Sequence, residues 1–155
     1  MISASVEAWV DEPMTQFVRD AGVRLALLLL PSGQVLAQFG FSRAMDVMSA
    51  CALAAAIHAS SAELGRMLDG RPFSGLHAGR VRQLFLAEAQ TARGPYIFLT
   101  VFDEGSSLGL VRLYCEELKA NLAAAAPPPA IQEPVLDSNF EGELNKNLAV
   151  LFGRA

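Results

Sequence analysis

The chain has 155 residues, a formal net charge of −4, 52% hydrophobic residues and 18% charged ones. That length accommodates one folded domain and leaves no room for a second of full size. The acidic balance, with a pI near 5.1, argues against a nucleic-acid or anionic-membrane surface, since both need clustered positive charge. The apolar content is above average and the charge below it, which points to surface that an oligomeric partner covers.

The unbroken apolar run at residues 25–30 is far short of the roughly 18 residues that span a bilayer. No basic segment followed by an apolar stretch opens the chain. The expectation is therefore a cytoplasmic protein without membrane insertion. Cys51 and Cys115 fall in helical patterns with no CxxC pair, so both read as small buried or semi-buried thiols rather than a disulfide.

Val6, Trp9, Val10, Met14, Phe17, Val18 and Ala21 recur near the 3.6-residue period, which predicts an amphipathic helix over residues 6–20. Pro13 either kinks it or lies in its first turn, where proline is tolerated. Residues 24–30 and 34–39 flank the turn Pro31-Ser32-Gly33 and read as a β-hairpin. The first of these strands is apolar on both faces and is expected at the centre of a sheet.

Residues 44–68 carry the strongest helix signal, rich in Ala, Leu, Met and Ile with no Gly before Gly65. Centring one face on Ile57 places Ala50, Leu53, Ala54, Ser61, Leu64 and Leu68 toward the sheet at about 100° per residue. The opposite face then holds Met48, Cys51, Ala52, Ala55, Ala59, Ala62, Glu63 and Arg66. It is unusually small and apolar for a wet surface and is expected to be an interface. Candidate partner contacts on this helix are Ala52, Ala55, Ala56, Ala59, Glu63 and Arg66.

Gly70 to Pro72 should end that helix, residues 73–80 suit an edge strand, and residues 81–89 and 96–103 read as two strands joined through Arg93-Gly94-Pro95. Residues 108–125 form a helix with Leu110, Val111, Tyr114, Leu118 and Leu122 along one side. The globular domain is read as 1–122. Residues 123–139, with Pro127-Pro128-Pro129, form a stiff Ala/Pro-rich linker reaching roughly 50 Å. Residues 140–155 complete the chain as a C-terminal amphipathic helix, with Phe140, Leu144, Leu148, Leu151 and Phe152 on one face and a capping box at Ser138-Asn139-Phe140-Glu141. A helix so short is marginal alone, so this one should fold against a partner.

The motifs that look chemical have plainer explanations. Gly105-Ser106-Ser107-Leu108-Gly109 matches G-x-S-x-G, but in hydrolases of that pattern the His comes after the Ser, whereas His58 and His77 both precede it. Ser106 or Ser107 is better read as a helix cap. The two histidines have no metal-ligand partners at suitable spacing and read as ordinary, partly exposed residues. The pairs Asp11-Glu12, Asp103-Glu104 and Glu116-Glu117 read as solvated charge. The chain lacks a phosphate-binding P-loop, and its two lysines, Lys119 and Lys146, come late. Between residues 66 and 93, five arginines (Arg66, Arg71, Arg80, Arg82, Arg93) face only Asp69 and Glu88. That cluster is either a solvated strand rim or a patch that steers an acidic partner.

The order helix, hairpin, long helix, three strands, helix resembles the Roadblock/dynein light chain family. The resemblance rests on residues 23–40, on residues 101–112 with their Leu-Gly-Leu-Val-Arg run, and more weakly on Leu76-His77-Ala78-Gly79. It covers residues 6–122. It implies an α/β (α+β) three-layer sandwich: a five-stranded, mostly antiparallel sheet with the long helix on one face and two helices on the other. Within the family, the chain is most similar to bacterial members that activate a Ras-like GTPase in polarity and gliding motility, which carry a tail ending in a short helix. The resemblance implies a homodimer with sheets joined edge to edge and long helices side by side, docking one Ras-like small GTPase. It also implies a regulator without a catalytic site or cofactor of its own, because GTP and Mg would be held by the GTPase. Phe140, Leu144, Leu148, Leu151 and Phe152 would then be a second contact on that partner, and Arg66 and Arg93 are the arginines to test as acting in trans. A non-activating scaffold and a small-molecule sensor are the alternatives.

Overall fold

The computed structural model describes residues 3–5 and 7–129. Its strands are β1 (Ser3–Ser5), β2 (Leu25–Leu29), β3 (Val35–Phe39), β4 (Gly75–Ala78), β5 (Gln83–Thr91) and β6 (Gly94–Phe102); its helices are α1 (Asp11–Ala21), α2 (Ala44–Asp69) and α3 (Leu108–Ala125). The strands form one sheet in the order β1-β3-β2-β6-β5-β4, antiparallel throughout. The five expected strands are all present. The short β1, paired with β3, adds a sixth at one edge.

β2 lies inside the sheet between β3 and β6. Leu27, Leu28 and Leu29 are fully buried because consecutive residues point to opposite faces and both faces are covered. On one face Leu28, Phe85, Ala87 and Phe98 pack with Met14, Phe17 and Val18 of α1 and Val111, Leu118 and Leu122 of α3. Phe17 meets Phe98 edge-on at 4.7 Å. On the other face Leu27, Leu29, Leu86, Ile97 and Leu99 meet α2. Each fully buried Leu or Phe contributes about 1.5–3 kcal/mol relative to exposure, so both helical layers are held by apolar burial.

The N-terminal segment departs from the single helix expected over 6–20. A 3-10 turn at Ala8–Val10 leads into α1, and Pro13 lies in the first turn of α1, where its missing N–H has no intrahelical acceptor to lose. α3 begins as read: the Ser107 hydroxyl accepts a 3.2 Å hydrogen bond from Leu110 N, while the Ser106 hydroxyl donates to the Ala21 carbonyl. The G-x-S-x-G sequence is thus a helix cap and a tie to α1. α3 runs through Ala125, so its last turn occupies the first residues assigned to the linker. Leu122 is its last buried residue. The amphipathic helix read over 140–155 lies outside the described residues.

Candidate partner-binding face on the long helix

α2 begins after Arg43, whose guanidinium pairs with Asp46 at 3.1 Å, and ends where Gly70 turns left-handed at φ 72°, a conformation that suits glycine. Its buried residues are Val47, Cys51, Ala54, His58, Ala62 and Gly65, spaced at three and four along one stripe. This corrects the assignment of its faces. Of the residues expected toward the sheet only Ala54 is buried. Ala50, Ile57 and Ser61 are half-buried and Leu53, Leu64 and Leu68 are exposed. Cys51 and Ala62, expected outside, are buried.

The physical reason is size. Small residues seat the helix close to the sheet, so the larger apolar side chains, which would lift it, face outward. Gly65 is the tightest point: a Cβ there would lie 2.4 Å from the Arg71 carbonyl oxygen and 2.5 Å from Phe73 N. The helix needs glycine here because the returning chain crosses directly over it.

The remaining candidate residues divide clearly. Ala52, Ala56, Ala59, Glu63 and Arg66 are exposed on α2, and Ala55 is half-buried. Ala52 and Ala55 lie under the hairpin turn, within 4 Å of where a Cβ on Gly33 would stand. Arg66 pairs with Glu63 at 3.4 Å. Arg93 is elsewhere, at the β5–β6 turn, paired with Glu7 at 3.0 Å, so the two arginines considered for action in trans do not share a surface. Phe140, Leu144, Leu148, Leu151 and Phe152 lie outside the described residues.

The outward face is more apolar than the sequence pattern suggests. Met45 is 78% exposed, Met48 69%, Leu53 66%, Met67 74% and Leu68 70%. Exposed apolar side chains thus recur along the 26-residue helix, and clustered apolar exposure of this kind is what an interaction surface presents. By length and composition α2 could also cross a membrane, a property that the length of unbroken apolar runs does not reveal. Here it lies along the sheet and buries His58 in its contact with it.

His58 is the other correction: it is buried, and its Nε2 stands 2.9 Å from Glu88 Oε2 on β5. Periodicity misses it because a histidine in an alanine-rich helix carries no apolar signal. Asp103 is likewise engaged rather than merely solvated. It accepts hydrogen bonds from Gly105 N at 2.9 Å and from Arg24 Nε at 2.9 Å, and these hold its carboxyl below the usual range. Cys51 and Cys115 are free buried thiols; burial raises both, Cys115 to about 11. Among the described residues no group of three His, Cys, Asp or Glu side chains could hold a metal.

This architecture is that of the Roadblock class of domain. A Roadblock/LC7 domain from Streptomyces avermitilis superposes with a TM-score of 0.64 at 17% identity, over 74% of this chain and 94% of that one. More particularly, the fold is of the MglB type. Myxococcus xanthus MglB matches with a TM-score of 0.68 at 22% identity, over 77% of this chain and 95% of its own. An MglB described with a tetrameric arrangement matches at 0.66 and 26% identity, over 77% and 91%. No protein-family model and no curated protein matches the chain.

Proposed function

We propose that the chain is a homodimeric regulator that binds one Ras-like small GTPase and stimulates its GTP hydrolysis in control of cell polarity or motility. The observation that carries this is the exposed apolar face of α2, on a fold shared with MglB. In the dimer the two sheets join edge to edge and the α2 helices lie side by side, so that Ala52, Ala56 and Ala59 admit a partner backbone at close range and Glu63 and Arg66 frame it. GTP and Mg belong to the GTPase. Hydrolysis by such proteins depends on positioning a water and neutralising charge, and the regulator acts by reorganising the GTPase's own catalytic residues. The helix read over 140–155 supplies a second contact through Phe140, Leu144, Leu148, Leu151 and Phe152, and tunes binding or nucleotide exchange.

The test is a pull-down against the Ras-like GTPases of the source organism, followed by GTP turnover with and without the full chain, and light scattering for the oligomeric state. Binding with faster turnover by a dimer is the expected result. Binding without acceleration selects the scaffold, and no binding removes the GTPase reading.

A further inference from the structure

β5 spans Gln83–Thr91, but β4 pairs only with its first part: the register runs from Ala78 opposite Gln83 to Gly75 opposite Leu86. Residues 87–91 pair with β6 on one side and, among the described residues, with no strand on the other. The cause lies at the end of α2. The chain returning from that helix crosses closely over Gly65 at Arg71 and Phe73, and it joins the sheet only from Gly75 onward. Roughly 15 Å of β5 edge is left open.

A cavity of about 310 Å³ lies along this edge, lined by Arg71, Phe73, Ser74, Glu88, Gln90 and Lys119. Glu88 faces α2, where it meets His58, whereas Lys119 belongs to α3 on the opposite face of the sheet. One cleft reaches residues of both faces only where no strand lies between them. Open edge backbone presents N–H and C=O groups in the spacing that a further strand recognises.

Charge selects the strand that fits. Residues 70–87 contain Arg71, Arg80 and Arg82 and no Asp or Glu, in a chain of net charge −4. Of the arginines clustered between residues 66 and 93, Arg66 and Arg93 are taken up by Glu63 and Glu7, and Arg82 acts on Asp103. Arg71 is exposed and makes no ion pair among the described residues. The Glu88 carboxylate is held by His58 and Gln90. Lys119 pairs with Glu116 at 2.9 Å, which leaves donors of its ammonium group unused.

We propose that the open edge of β5 at residues 87–91 takes an extended acidic segment of a partner protein as an added strand, in line with β4. Consecutive residues of a strand point to opposite faces, so two adjacent acidic residues at its centre place one carboxylate toward Arg71 and the next toward Lys119. Backbone pairing supplies the affinity, and the carboxylates supply the choice of sequence. The site uses no residue assigned above to the GTPase contact, so it stands or falls independently of that reading.

The test uses the full chain, without a GTPase, and an acetylated and amidated peptide of alternating threonine and valine with a pair of glutamates at its centre. Amide hydrogen exchange read by NMR is expected to slow at every second residue among 87–91 as the peptide is added, leaving the amides of α2 unchanged. A peptide with lysines in place of the glutamates is expected to bind about tenfold or more weakly, and Arg71→Glu to remove the preference for glutamate. Exchange that does not slow at 87–91, equal affinity for both peptides, or a preference that survives Arg71→Glu would each overturn the proposal. So would the same protection from free glutamate, which would make the cleft a small-anion site. Protection already present without peptide and lost on dilution would overturn it too, by assigning the edge to a second copy of the chain.

Discussion

His58 on α2 and Glu88 on β5 face each other at 2.9 Å across the contact between helix and sheet, with side chains only 9% and 16% exposed. They form a polar link in a layer otherwise joined by apolar side chains, small on the helix and large on the strands. The orientation of α2, and so which of its residues face outward, is fixed partly by this pair.

Removing Glu88 leaves His58 buried without its hydrogen bond, whereas removing His58 leaves the half-buried Glu88 with only the bond it accepts from Gln90. A bond to a charged group is worth about 1.5–3 kcal/mol, and an orphaned buried group costs a similar amount. His58→Ala and Glu88→Ala are each expected to destabilise by about 1–3 kcal/mol in denaturant titrations, and the double variant by less than the sum. Additive losses would show that the pair does not couple the helix to the sheet.

Gly65→Ala tests how closely the chain after α2 crosses it. Its methyl would meet backbone atoms of Arg71 and Phe73 at 2.4 and 2.5 Å, and overpacking costs typically ~1–3 kcal/mol. A loss of that order, read as a lower denaturant midpoint, is expected, together with altered exposure of Phe73. An unchanged midpoint would mean the loop moves freely.

Leu53→Arg separates folding from binding. Leu53 is 66% exposed, so stability should change by less than about 0.5 kcal/mol, whereas a charge placed in an apolar interface should weaken self-association or GTPase binding about tenfold or more. Ala59→Arg, on the neighbouring side of the same face, should act in the same direction. Light scattering and GTPase titration indistinguishable from the unsubstituted chain would move the binding surface elsewhere.

Asp103 makes a contribution that depends on pH. Hydrogen bonds from Gly105 N and then Arg24 lower its folded pKa from the ordinary value of 3.8, so the unfolded chain binds its proton more readily. The stabilisation is therefore complete above the unfolded value and is lost as pH falls through the folded one. Asp103→Asn is expected to flatten the acid limb of the stability profile while leaving the neutral region offset by a constant. A profile with the same acid slope would assign that limb to other carboxylates.

The elements, their order and most of their ends are legible from local chemistry. The apolar run of β2 places it inside the sheet, Gly70 ends α2 where a left-handed residue is needed, and Ser107 caps α3, because each of these depends on near neighbours in the chain. Which face of α2 meets the sheet is not legible. That helix is apolar around most of its circumference, so periodicity has little contrast to work with and favours the larger side chains, Leu53, Leu64 and Leu68, for the core. Tertiary packing selects the smaller ones, Cys51, Ala54, Ala62 and Gly65, because only they allow α2 to approach the strands and the chain at Arg71 and Phe73 to cross it. The pairing of His58 with Glu88, thirty residues apart, is likewise decided by the fold, since no local pattern records which strand will lie beneath a helix.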